Sequence, residues 1–475
     1  MGPPVVYPDQ IEAEYPSTLR LKQVQILFRH GERTPVHRSS QHWHKWNFPT
    51  FWPLCDSSRF SLISIVNPAA TPQPVAAFPF EREIESLTEE ARSGRGVAEL
   101  FTNKGMAGVC LEGQLTDKGR LSGFRLGEQL RALYIDRLGL LPKTFTDQSE
   151  VYLRTTSIVR SRETLQQVFA GLYPFKVAAQ PPKIHERFPF EEDLYPTTHL
   201  CPRLRELRTQ FLDAAAGKWD PLLEGPAKKL DQILTGEGDQ RGITVGRAKG
   251  KDSAWAIVDT YASALAHNIK TPAAFSDREA VNTLARASID SEFVGYEQNG
   301  EMKRLGMGKF FYEVLKRMTV GDVVRGPNDA EIAKMLERES VMIRKVPKMA
   351  LYAAHDSSVG AMLATMGVLE RKWINFTTHI IFELFESKSE DGAKKGWLGG
   401  RTQAEQFVRV KYNGRPVALP ACAGEGGHLE GEATMCTMGA FKEFVKSVTP
   451  GDYAGECGMN LGERVPGEQL AVLNE

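Results

Sequence analysis

The residues best suited to chemistry are Arg29-His30-Gly31-Glu32-Arg33-Thr34-Pro35, where two guanidinium groups flank a histidine. A phosphoryl dianion needs several fork-shaped donors, and arginine offers a bidentate geometry that lysine lacks. A neutral imidazole, with an ordinary pKa of about 6.5, is deprotonated near neutrality and attacks without being strongly basic. Gly31 lets the backbone approach the ring closely, and Pro35 ends the turn. By residue type alone the segment is either a phosphoryl-transfer loop built on His30 or a surface loop with a cap-like histidine. Glu32 is expected to face solvent or to support the motif from behind.

Such a loop needs a rigid element to deliver it. Residues 20 to 28 alternate Leu21, Gln23 and Gln25 with Val24, Ile26 and Phe28, so a strand ends on Arg29-His30. Open α/β sheets place ligand sites at such strand ends. Gln114-Leu115-Thr116-Asp117-Lys118-Gly119 opens the next segment. Leu121, Phe124, Leu126, Leu130, Leu133 and Tyr134 then predict a helix over about 116–138. Glu150-Val151-Tyr152-Leu153-Arg154 reads as a strand followed by an amphipathic helix through Leu165, Val168 and Phe169. Lys348 to Ala354 is a short apolar strand ending on His355-Asp356, and Ile380, Ile381, Phe382 and Leu384 supply another.

Between about 180 and 345 the chain becomes charged and amphipathic, with few convincing strands. The expected division is an α/β core over 18–180, a mainly helical cap over 181–345 and a second part of the core over 346–475. The fold class is thus α/β, a mixed and largely parallel sheet with helices on both faces plus an inserted helical cap. Lys plus Arg and Asp plus Glu both number 59, so no global field favours nucleic acid or an anionic membrane surface. No window approaches the roughly 18 apolar residues of a transmembrane helix. The first residues show no basic region followed by an apolar stretch, so no secretory signal is read, and the chain is expected to be intracellular, cytoplasmic or mitochondrial.

Arg-His-Gly-Glu-Arg-Thr-Pro resembles the RHGxRxP signature of the histidine phosphatase superfamily branch that holds the histidine acid phosphatases and phytases. The partner signature is His355-Asp356 in YAAHDSSVGAML, and Tyr152-Leu153-Arg154-Thr155-Thr156 is similar to the family's strand ending in Arg-Ser-Thr. The likeness runs from about 20 to 460, and is weakest in 36–105 and in the insert. GQLT, Ala170-Gly171-Leu172, DLYP at 193–196, AHN at 266–268 and LYAAHD at 351–356 most resemble the lysophosphatidic acid phosphatase subgroup.

The resemblance implies a metal-independent and cofactor-free acid phosphatase. His30 would be the nucleophile, forming a phosphohistidine, and Asp356 the proton donor to the leaving alkoxide. Arg29, Arg33, Arg154 and His355 would hold the phosphoryl oxygens. A phosphate anion near Asp356 would raise its carboxyl pKa and favour work at acidic pH. Lysophosphatidic acid is the candidate substrate. A phytase or a sugar or nucleotide phosphatase is the alternative, and a non-catalytic binding protein that kept the fold a remote one. The partner is a phosphorylated small molecule or lysophospholipid, with no nucleic acid and with an oligomeric state that the sequence leaves open.

Other signals have plainer readings. His37, His42 and His44 lack the spacing and the further partner of a zinc site. Gly246 to Asp252 is one residue short of a phosphate-binding loop and has Asp252 where Ser or Thr should stand. Arg160 is expected to be structural. Trp43, Trp46, Phe48, Phe51 and Trp52 either wall an acyl groove or pack the preceding loop, the second being favoured. The six cysteines, spread without a compact framework, are expected as reduced thiols, with Cys422 and Cys436 the first to pair if the protein met an oxidising compartment.

Overall fold

The computed structural model describes residues 14–36, 48–65, 76–82, 84–85, 106–234, 242–246, 251–319, 346–388 and 404–458. By packing, the chain forms two compact units. The first comprises Met1–His30, Phe124–Leu212 and Ile289–Glu475, and the second Gly31–Gly123 and Asp213–Ser288. The helical stretch after residue 180 contributes to both.

The first unit is built on a mixed nine-stranded sheet. Its strands are β1 (Leu19–Arg29), β2 (Val151–Thr155), β3 (Ile184–His185), β4 (Met349–Ala354), β5 (His379–Ser387), β6 (Gln406–Tyr412), β7 (Arg415–Val417), β8 (His428–Leu429) and β9 (Glu432–Thr437). They lie in the order β8-β9-β6-β5-β1-β4-β2-β3, with β7 on β6. On one side of β1, strands β4, β2 and β3 follow in parallel; on the other, β5, β6, β9 and β8 run antiparallel to their neighbours.

β4, MALYAA, is buried at every position because strands flank both of its edges and helices cover its faces, which explains its unbroken apolar run. β1 shows how those faces are covered. Val24, Ile26 and Phe28 enter a core with Leu126 and Leu130 of α1 (Asp117–Leu130) and with Leu165, Val168 and Leu172 of α2 (Val159–Leu172). α1 continues as a π-helical turn, Arg131–Arg137, so the element predicted over 116–138 is present. Gln23 and Gln25 point to the other face and are also buried. Their amides donate to the carbonyls of Arg317 and Val314 in a helix over Lys309–Thr319, which satisfies the buried amides.

In the second unit Phe60–Ile65 pairs with Ala76–Glu81, and Ile243–Thr244 with Asp252–Ser253. Among the described residues, its longest helix lying wholly within the unit is Ala254–Ala266. Trp52 is buried with its indole N–H on the Pro49 carbonyl, and Phe48 meets Phe275 at 5.3 Å, so the described part of the aromatic stretch packs this unit. Trp43, Trp46, His37, His42 and His44 lie outside the described residues.

The cysteine expectation is corrected. Cys55–Cys110, Cys201–Cys457 and Cys422–Cys436 are disulfides, with separations of 55, 256 and 14 residues. Linear spacing hid the first two because the fold, not the sequence, brings their Cα atoms to 5.2 and 4.7 Å. Peptide mapping without reductant is therefore expected to yield three linked peptide pairs. Cys201→Ser should then destabilise by about 2–5 kcal/mol in chemical unfolding.

Candidate active site

The register of the parallel strands gathers the expected residues of the first unit at one edge. Arg29 is level with Ala354, and Thr155 with Ala353, so β1, β4 and β2 end together and release His30, His355-Asp356 and Thr156 side by side. The His30 N–H donates to the Ala354 carbonyl at 3.0 Å, and the Thr377 N–H donates to the His30 carbonyl. These bonds fix the backbone that carries the imidazole. The His30 and His355 rings are 5.5 Å apart, and Phe376 lies 6.0 Å from His30.

Arg29 is fully buried. Its guanidinium stacks on Phe376 at 4.2 Å, donates to the Ile374 carbonyl and pairs with Asp356 at 2.7 Å. His355 is the N-cap of α3 (Asp356–Thr365), and its backbone N–H donates to the Ser358 hydroxyl. The partly exposed Asp356 is the first residue of that helix rather than its cap, and its Oδ1 accepts the Ser357 N–H. His355 Nε2 lies 3.1 Å from the Thr156 hydroxyl and 3.5 Å from that of Ser161, while Tyr195 meets the ring edge-on at 5.8 Å. Two imidazoles, a guanidinium, a helix N-terminus and a carboxylate thus converge, a setting that favours a dianion beside a proton donor.

Arg154 is placed differently from its expected post at the phosphoryl oxygens. It shares the face of Arg29 but is level with Tyr352, two residues behind the strand tip, beneath the Lys309–Thr319 helix. There Nη1 donates to Glu313 at 2.6 Å, while Nη2 donates to Glu192 at 2.8 Å and Asp193 at 2.5 Å. Arg187 and Arg317 complete the cluster through Asp193 and Glu313. Burial works against the Asp193 charge, yet Arg154 and Arg187 hold its carboxyl below the usual range. Arg160, read as structural, stands in the first turn of α2 next to Ser161, whose hydroxyl neighbours His355.

Arg33 belongs to the second unit, where it is clamped by a residue the sequence reading missed. Its Nη1 and Nη2 both meet the Asp259 carboxylate at 2.9 Å, and Asp259 also accepts the Val36 N–H. The signal was present: a lone acid in AWAIVDTYASALA, an otherwise apolar helix, requires a buried partner. Asp259→Asn is expected to lower kcat/KM for p-nitrophenyl phosphate roughly 10- to 100-fold by loosening Arg33. An unchanged pH optimum would accompany that loss, because no proton donor is touched. Gly31 permits close packing not against the His30 ring but against Gly119, whose carbonyl oxygen would lie 2.2 Å from a Cβ at 31. The Gln114-Leu115-Thr116 segment braces the motif there: Arg33 bridges Leu115, and the Thr116 N–H donates to the Glu32 carbonyl.

The family model for the histidine phosphatase superfamily (branch 2) matches residues 20–413. The chain belongs to that superfamily. A probable acid phosphatase of Schizosaccharomyces pombe is 29% identical over 484 residues, 95% of this chain and 97% of that relative. Human lysophosphatidic acid phosphatase type 6 is 26% identical over 86% of this chain and 80% of its own length. Among solved structures, the phytase from Citrobacter braakii aligns with a TM-score of 0.56 at 12% identity, covering 93% of this chain and all of the phytase; this shows the shared fold. Membership in the histidine phosphatases supports a phosphoric monoester hydrolase, with a phosphorylated substrate. Among the described residues no helix is long and apolar enough to cross a membrane.

Proposed function

We infer that this histidine phosphatase cleaves its esters in two in-line transfers through His30. The observation that carries this reading is the common edge of β1, β2 and β4, where His30, His355 and the Arg29–Asp356 pair converge. His30 attacks phosphorus, the ester oxygen departs with the Asp356 proton, and water then displaces the imidazole to give inorganic phosphate. Arg29 and His355 hold the oxygens as charge develops, and Arg33 is assigned to the same group by its place three residues after His30. An incoming dianion competes for Arg29 and so releases Asp356 for its role as acid. Such chemistry asks for no metal, and EDTA belongs in the assay.

Lysophosphatidic acid is the preferred substrate in this reading, supported by the likeness to the type 6 enzymes, with small phosphate monoesters as the fallback. The test is the ratio of kcat/KM for lysophosphatidic acid to that for glycerol 3-phosphate, at acidic pH with EDTA and below the micelle threshold. The two share a head group, so the ratio isolates the acyl chain. A ratio above roughly 100, worth about 2.7 kcal/mol, is expected; a ratio near one with brisk turnover of both would sink the lipid assignment. For location, three disulfides favour folding in an oxidising compartment over the reducing cytosol.

A further inference from the structure

The residues that lead into β5 hold Arg29 and His30 from several sides. The Ile374 carbonyl accepts from the Arg29 guanidinium and the Phe376 ring stacks on it, while the Thr378 carbonyl accepts the Arg29 N–H at 2.8 Å. The Thr377 N–H donates to the His30 carbonyl at 3.3 Å. Thr377 does so from an uncommon backbone, with φ at 56° in the left-handed region. For a β-branched residue that is a genuine outlier, and such strain persists only where the surroundings over-determine it. The Thr377 hydroxyl donates to the Phe376 carbonyl at 2.7 Å, so the peptide and not the side chain reaches His30. His379, the first residue of β5, supplies the restraint. It is 5% exposed, and its Nδ1 lies 3.1 Å from the Thr377 carbonyl. That contact requires the proton on Nδ1, which the imidazolium also carries, so titration of the ring leaves the bond in place. His379 is itself gripped by Asn413, whose side-chain oxygen accepts the His379 N–H and whose N–H donates to the His379 carbonyl, each at 3.0 Å. Asn413 and Gly414, both at positive φ, make the tight turn that joins β6 to β7.

We propose that His379 is a positioning residue for the nucleophile: it pins Thr377 in the left-handed conformation, and the pinned Thr377 N–H fixes the backbone from which the His30 imidazole is aimed. The proposal rests on His30 as the attacking group. A strained peptide left unpinned relaxes, and the His30 carbonyl then loses its donor. An imidazole misaimed by about 1 Å attacks far less often, since in-line transfer demands a near-attack geometry. Phosphate still binds, because Arg29 and His355 keep their own contacts with Asp356, Ile374 and Thr156. The effect therefore falls on the rate of the first transfer and not on affinity, whereas a residue that merely braces the sheet would lower stability and leave the folded enzyme's rate alone.

The test is single-turnover release of p-nitrophenol from p-nitrophenyl phosphate, with the full chain in saturating excess, which reports the first transfer alone. His379→Asn keeps an amide N–H where Nδ1 stood and is expected to stay within threefold of the parent rate. His379→Gln carries its amide past the Thr377 carbonyl and should be slower by roughly 10- to 30-fold, with the inhibition constant of inorganic phosphate within twofold. Thr377→Gly/His379→Gln should recover to within threefold of the parent, because glycine takes positive φ without a restraint. Should His379→Gln not fold, the double variant, relieved of strain, decides alone: a rate within threefold supports the proposal and a tenfold deficit overturns it. Equal rates in the Asn and Gln variants, a double variant as slow as His379→Gln, or a loss of phosphate binding in step with the rate would each overturn it. Turnover that survives in His30→Ala would instead remove the nucleophile assignment beneath it.

Discussion

His30→Ala is expected to lower kcat for p-nitrophenyl phosphate by at least about 10^4-fold and to abolish labelling of the protein by a phosphoryl donor. The parent enzyme, quenched in alkali after milliseconds of turnover, should carry one base-stable and acid-labile phosphate per chain. The loss should be this large because in the proposed reaction His30 alone forms the bond to phosphorus, whereas its neighbours only lower the barrier. Its imidazole is almost wholly buried and its backbone tied to Ala354 and Thr377, so alanine removes the nucleophile without freeing the loop. Asp356→Asn gives the complementary result: labelling persists with p-nitrophenol, a leaving group that needs no proton, but falls steeply with alkyl phosphates. Undiminished labelling in His30→Ala would overturn the assignment of the nucleophile.

Arg154→Ala is expected to act on stability rather than on substrate binding. The side chain neutralises Glu192, Asp193 and Glu313 together, and its removal leaves buried carboxylates short of a partner. Breaking such a cluster from one side costs on the order of 3–5 kcal/mol. The midpoint of urea unfolding should fall accordingly, while the KM of the folded fraction changes little. Arg160→Ala should do the reverse, raising KM and the inhibition constant of inorganic phosphate with a small change in the midpoint, because it stands beside the Ser161–His355 contact. An Arg154 variant with parental stability and a raised KM would return that residue to the phosphoryl group.

This contrast shows what a sequence reveals about such a site. β1 was legible from its alternation, and β2 and β4 from short, largely apolar runs that end abruptly in polar residues, patterns that a strand with a working tip explains. Arg154 shares the face of Arg29 but stands level with Tyr352, two residues behind the strand tip, and a motif gives a residue's neighbours along the chain but not the carboxylates that folding brings to it. The antiparallel side of the sheet was obscured for a related reason. QFVRVKY carries Arg409 and Lys411, which look like a solvated face, yet both are buried, Arg409 against Glu383 and Lys411 against Glu14, with Tyr15 and Tyr134 donating to Glu383. Asp259 and the Cys201–Cys457 link were hidden by the same limit, since their partners are set by folding over 226 and 256 residues.

The neighbours of β1 carry a consequence for the birth of the enzyme. Both strands that flank it come from the far part of the chain, β4 beginning at Met349 and β5 ending at Ser387. At the usual pace of about 5–20 residues per second, on the order of 15–65 s pass between translation of His30 and that of Asp356. Throughout that interval the nascent LRLKQVQILFR has neither edge satisfied, and it offers any other strand in the cell a template for pairing. Vectorial synthesis therefore withholds the reaction until Asp356 has been added, and it makes this segment the natural client of a holding chaperone.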